Sequence, residues 1–296
     1  MRTINRLPNA ILRCSAALLL GLSVSCASNK TQEAAPAPPA TPVTATPFFG
    51  EVGLGVSYLQ TRAADLVDAV EGMILALENR DLEAAQRAYF EARAPYEEIE
   101  VVAAAFPELH RDIDARAYEF RSGELDEDFK GFHRIEIFLF SREKVKPALP
   151  VAKELLESVE ELEAVLADRG LFNAEMEFAA MVDRCSDIAS KTITSEEEMW
   201  SDQSLLVVRH GWIGIHNVYR HFAGQVRSVD VKLAERLDRS YRNAIELIRS
   251  DFPIGQVEGA PFSIIDRRKR RAIADASLKL RSHLVQAQIA LELIDA

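Results

Sequence analysis

The sequence predicts an all-α fold, and three observations carry that prediction. Apolar residues recur at helical spacing through most of the chain beyond Phe48, as in Leu66, Val70, Met73 and Leu77. Strand-like alternation is almost absent. Aromatic residues make up only 7% of a composition rich in Ala, Leu, Glu and Arg, while 48% hydrophobic residues are ample for a core. The periodic segments are Leu54–Leu77, Asp81–Ala105 (bent or offset at Pro95), Asp128–Ser141, Pro150–Leu166 and Ala174–Ser190. They continue with about Ser195–Phe222, Val229–Arg249 and Asp266–Leu293. Asp128 and Asp266 stand where N-caps are expected. Helices of this length with short connections make a bundle, here read as two stacked four-helix bundles.

Three segments are expected along the chain: a leader at 1–26, a tether at 27–48 and the helical domain at 49–296. The leader carries Arg2, Arg6 and Arg13, then the apolar run Ala16–Leu22, then small residues before Cys26. That is the pattern of an export signal, with an apolar run too short to span a membrane. A cysteine at the cut resembles a bacterial lipobox, with Ser23 in the usual aliphatic place, so Cys26 is the expected lipidation site. The segment after it holds five of the chain's twelve prolines between Ala35 and Pro47. It has little to bury against its ordering entropy and reads as an extended tether reaching roughly 60 Å at ~3.1 Å per residue. Of three cysteines only Cys185 falls in the helical part, so no disulfide is available there, and its periodic surroundings make it a buried small hydrophobe.

A formal net charge of −11 repels phosphate backbones and argues against nucleic acid as a partner. It suits a protein that handles cations, although solubility alone also explains an acidic surface.

The segment from Asp128 to Phe140 carries the chemistry. His133 and Glu136 lie three residues apart, on one helical face that continues through Phe129, Ile137 and Phe140. An ionised carboxylate buried in an apolar stripe needs a partner, and a metal ion is one. A core histidine hydrogen-bonded to Glu136 is the other reading. Upstream, Glu97 and Glu100 stand beside an apolar seam that begins at Tyr89, and Asp112-Ile113-Asp114-Ala115-Arg116 forms a short polar element. Carboxylates with an imidazole suit iron, manganese or zinc. The zincin pattern H-E-x-x-H is missing, because positions 134 and 137 are Arg and Ile. Three more histidines, His210, His216 and His221, lack ligand spacing and read as a helix end with aromatic packing.

Gly131-Phe132-His133-Arg134-Ile135-Glu136 resembles the GxHxxE signature of the imelysin-like EfeO/EfeM group. Tyr96-Glu97-Glu98-Ile99-Glu100 resembles that group's Y-E-x-I-E-P, and Ile113-Asp114-Ala115-Arg116 its I-D-x-R. Lys191 to Glu197 resembles its K-I-T-G-E-E, and Pro261 to Leu291 its C-terminal helix. The resemblance implies two helical bundles and a metal site of Glu100, Asp114, His133 and Glu136, with Glu97 and Arg116 as neighbours. It implies an extracytoplasmic, lipid-anchored iron-binding protein rather than an enzyme, working beside an EfeU-like permease and a haem peroxidase. With a tether where some relatives carry a cupredoxin domain, the chain looks like the shorter, EfeM-like form. One departure is that Asp202 stands where the group has a histidine. The alternatives to iron capture are a metal-independent glycan- or protein-binding module and a metallopeptidase.

Overall fold

The computed structural model describes residues 47–194 and 198–295, with the side chains of 104 and 192–194 excepted. The signal segment, Cys26, nearly all of the tether, and Glu196 and Glu197 lie outside the described residues. Nine α-helices and no strand occur among those described: α1 Phe49–Glu78, α2 Leu82–Ile99, α3 Pro107–Asp114, α4 Phe132–Glu136, α5 Val145–Ala167, α6 Ala174–Thr194, α7 Ser204–Val229, α8 Val231–Ile248 and α9 Arg267–Ala290.

The helices start where capping chemistry allows. Asp81, Asp230 and Asp266 each accept a backbone N–H from three residues on, at 2.9, 2.9 and 2.8 Å. Pro107 opens α3 at a position whose N–H has no intrahelical acceptor anyway. Asp128 caps nothing. The chain there is a turn, and α4 begins four residues later behind Gly131, whose φ of 81° only glycine adopts without strain. Helix α2 runs through Pro95 and tightens into a 3₁₀ segment at Glu100–Ala105. Beyond α4 the backbone widens into a π-helical turn, Ile137–Ser141.

Helices α6, α7, α8 and α9 pack in a closed ring, α6 on α9, α9 on α8, α8 on α7 and α7 on α6, which is a four-helix bundle. In the other half α1 packs on α2 and α5, and the fourth side is closed by α7 of the ring together with the short helices α3 and α4. One hydrophobic core therefore runs through both halves, from Leu59 and Leu66 to Trp212, Phe222 and Leu284. Cys185 lies inside it, fully buried and free.

Two glycines let the helices that carry polar groups approach. A Cβ on Gly131 would sit 2.3 Å from the Ile113 carbonyl oxygen, so glycine is what allows the start of α4 to lie against the end of α3. A Cβ on Gly214 would sit 2.4 Å from the Glu98 carbonyl oxygen, where α7 crosses the end of α2. The first contact brings His133 to Asp114, and the second brings His210 to Glu98.

Candidate metal centre

Burying charge without partners is costly, so a fold that buries many acids must pair them. Among the described residues, six carboxylates are buried around the end of α2: Glu97, Glu98, Glu100, Asp114, Glu136 and Glu198. Arg93, 1% exposed, stands among them, and its guanidinium pairs with Glu97, Asp114 and, at 2.9 Å, Glu198. Arg184 of α6 holds Glu97 and lies 2.6 Å from Glu100. Arg116 is a third buried guanidinium of this region, and Lys191 lies 3.7 Å from Glu100 at the rim.

The four residues that sequence pattern and resemblance single out fall in this region, although not as one convergent set. His133 lies between two acids, its Nε2 3.4 Å from Asp114 Oδ1 and its Nδ1 3.4 Å from Glu136 Oε2. Its two ring nitrogens point to different carboxylates, so they do not present one nitrogen to a shared ion. Glu136 Oε1 accepts the backbone N–H groups of Trp200 and Ser201, both at 2.8 Å. Among the described residues, the one set of three donors within 4.8 Å of one another is Glu100, His110 and Asp114.

Several participants escape the sequence pattern. His110 precedes Asp114 by four residues on α3, an i, i+4 signal that shows only once that segment is read as a helix. Arg93 and Glu97 form another i, i+4 pair inside an apolar face. Glu198 lies in a segment that periodicity assigns to a helix. It is in fact part of the link before α7, turned inward, where Tyr89 donates to it at 3.1 Å and Ser201 Oγ at 2.5 Å.

Electrostatics sorts these groups. Burial pushes the His133 imidazole down to about 4, which keeps it neutral with a lone pair to offer. Burial opposes ionisation of Asp114, but the Arg93 guanidinium, helped by His133 and Arg116, overrides it and holds that carboxyl below its ordinary range. Glu100 is likewise opposed by burial and then drawn down to about 2 by Arg184 and Lys191. Glu198 is pushed up to about 7, by burial and then by the Glu136 charge. Burial also raises Glu136, against the two backbone donors. Asp114 Oδ2 and His133 Nε2 are among the buried polar atoms that have no hydrogen-bond partner.

A cavity of about 90 Å³, lined among others by Arg116, Phe129, His133, Glu136, Met199 and Trp200, opens onto this cluster. At roughly 30 Å³ per water it holds about three waters, enough for a partly hydrated ion.

The other histidines do different work. His210 Nδ1 pairs with Glu98 at 2.7 Å, and His216 stacks on Tyr241 with ring centroids 3.8 Å apart. Asp202, in the place of the group's histidine, accepts Ser263 N–H at 2.8 Å and also its hydroxyl, tying the link before α7 to the loop before α9.

The sequence profile described as Imelysin matches residues 56–287. The chain is 27% identical over 191 residues to "Iron uptake system component EfeM" of Pseudomonas syringae pv. syringae (strain B728a), covering 64% of this chain and 67% of that protein. It is 26% identical over 220 residues to an "Efem/EfeO family lipoprotein" of Staphylococcus aureus (strain NCTC 8325), covering 74% of this chain and 77% of that one. With most of its helical part matched by the profile, the chain belongs to the imelysin family and is an EfeO/EfeM-like protein.

Proposed function

We propose that this protein is an extracytoplasmic, lipid-anchored carrier that captures an iron ion in the cluster around Asp114 and His133 and passes it to a membrane permease. The observation that carries the reading is the buried Asp114 Oδ2, which has no hydrogen-bond partner, beside the neutral His133 imidazole in a cluster rich in acids. A native interior rarely leaves such atoms without partners, and a cation with its waters supplies them. The names of the relatives, an iron uptake component and a lipoprotein, support the same reading.

In this account His133 is the neutral nitrogen ligand, and Asp114, Glu136 and Glu100 supply oxygens and charge. Manganese and zinc suit the same donors and are the expected competitors. Residues 1–26 serve as the signal, Cys26 takes the lipid, and 27–48 tether the helical domain at 49–296. Among the described residues no helix is long and apolar enough to cross a membrane. An EfeU-like permease and a haem peroxidase are the proposed partners. Hydrolysis draws no support from the site, because the residue after His133, where a zincin carries its general base, is Arg134, which donates to the Phe129 carbonyl.

Anaerobic calorimetric titration of the purified apo-protein with Fe²⁺ tests the reading. The expected result is one ion per chain, with affinity reduced at least tenfold in His133→Ala. Equal binding by the two proteins would remove His133 from the ligand set, and no binding by the wild type would leave His133 and Glu136 a structural pair in a metal-independent binding module.

A further inference from the structure

Charge is unevenly spread in this chain. Helix α9 holds seven Arg and Lys residues against one acid, Asp275, while the chain as a whole has a formal net charge of −11. Three of the seven serve the fold. Lys269 holds Asp251 at 2.6 Å, and Arg281 donates to Ser186 of α6 at 2.9 Å. Arg270 reaches back to the carbonyls of Phe262 and Ile265 at 2.8 and 2.9 Å and lies over the Phe262 ring. The other four face solvent. Arg267, Arg268 and Lys279 have no ion-pair or hydrogen-bond partner among the described residues, and Arg271 reaches only Asp275, at 3.8 Å.

Apolar groups lie among these cations. Arg267, Arg271, Ala274 and Leu278 follow one another at helical spacing and, with Arg270 and Asp275, line an open groove of about 580 Å³ along α9. Leu278 is exposed, and so is Ile264, three residues before the first arginine. The helix buries Ile273, Leu280, Leu284 and Ala287 on its opposite side, against the bundle. Free guanidiniums beside exposed apolar side chains match the boundary of an anionic bilayer, where phosphates take the charges and the apolar groups enter the headgroup layer. An acidic protein surface or a free anion would engage the cations alone.

We propose that this face of α9 docks on the anionic lipid headgroups of the membrane that holds the chain, through Arg267, Arg268 and Arg271 with Ile264 and Leu278. The proposal rests on the lipid-anchor reading and gives the tethered domain a fixed face toward the bilayer. Ser263, next to Ile264, is bound by Asp202 in the link that also supplies Trp200 to the cavity wall, so the docked face is joined through that link to the entrance of the ion site.

The test uses the anchored protein as the cell processes it, with Leu278→Cys carrying a nitroxide. Collisions of the label with oxygen and with a water-soluble nickel chelate report its depth. Cys185 is fully buried, so it stays unlabelled. The protein is reconstituted in vesicles of phosphatidylcholine, alone or with about one-third phosphatidylglycerol. In the mixed vesicles nickel collisions should fall roughly threefold and oxygen collisions should rise, with high salt reversing both. Combined Arg267→Ser, Arg268→Ser and Arg271→Ser should abolish both changes at an unaltered thermal midpoint, since each basic residue strengthens binding to such a surface about fivefold. Equal collisions in the two kinds of vesicle would overturn docking. So would shielding that survives both salt and the three substitutions. Shielding by soluble polyglutamate and not by vesicles would assign the face to an acidic protein and overturn it as well. Intact mass shows whether Cys26 carries lipid. If it does not, the anchor reading fails, and docking is judged by the same outcomes in a chain with Cys14→Ser and Cys26→Ser at millimolar lipid.

Discussion

His133 reaches Asp114 across two helices, Nε2 to Oδ1 at 3.4 Å, because Gly131 lets the start of α4 rest on the end of α3. The contact joins a motif residue to an acid nineteen positions earlier and sets the geometry of the whole cluster.

That junction makes Gly131 sensitive. Its φ of 81°, and the 2.3 Å that would separate a Cβ at this position from the Ile113 carbonyl oxygen, leave no room for alanine without displacing α4. Gly131→Ala is expected to lower the thermal midpoint by several degrees, a loss on the order of 1–3 kcal/mol. It should also weaken Fe²⁺ binding, because Asp114 and His133 move apart. Differential scanning calorimetry with and without Fe²⁺ reads both effects, and an unchanged midpoint would show that the junction relaxes freely.

Arg93 is the fixed counter-charge of the cluster. Replacing it with Met removes one partner from each of Glu97, Asp114 and Glu198, although Arg184 remains for Glu97. Breaking a buried charge network from one side costs about 3–5 kcal/mol. Urea unfolding of Arg93→Met at pH 7 should show that loss with an unchanged slope. A cost below about 1 kcal/mol would mean the acids simply take up protons.

Glu177 of α6 gives a pH signature away from the cluster. It is fully buried, both its oxygens lack hydrogen-bond partners, and burial raises its carboxyl to about 8 from the ordinary 4.5. Between those values the folded chain holds a proton that the unfolded chain has released. Stability from this group is therefore full below pH 4.5, falls as pH rises to about 8, and is level above it. The slope is at most about 1.4 kcal/mol per pH unit. Melting curves from pH 5 to 9 should show a decline in the wild type that is flattened in Glu177→Gln. Parallel declines would assign the pH dependence to other groups.

Much of the fold is legible from periodicity, since long amphipathic segments such as Leu54–Leu77 and Val229–Arg249 pack as single helices. The pattern fails where tertiary contacts override local preference. Asp128 looks like a cap but precedes a turn, because the start of α4 is set by Gly131 against α3. Residues 198–203 keep helical periodicity, yet they leave the helix to place Glu198 beside Arg93 and to present the N–H groups of Trp200 and Ser201 to Glu136. In the candidate site, His133 and Glu136 are visible from their spacing within an apolar stripe. The charges of the surrounding cluster are not, because Arg184 and Glu198 arrive from distant segments with no local signal. His110 is within reach of the pattern, hidden only because α3 is two turns long and reads as a polar link.

The central claim is that a cation sits beside Asp114 between the helices. Anomalous X-ray scattering, recorded on both sides of the iron absorption edge from crystals grown anaerobically with Fe²⁺, locates the ion directly. The account predicts one peak per chain within about 2–2.5 Å of an Asp114 oxygen, with His133 or His110 as the nitrogen ligand. A peak confined to surface acids, or none within the buried cluster, would contradict it.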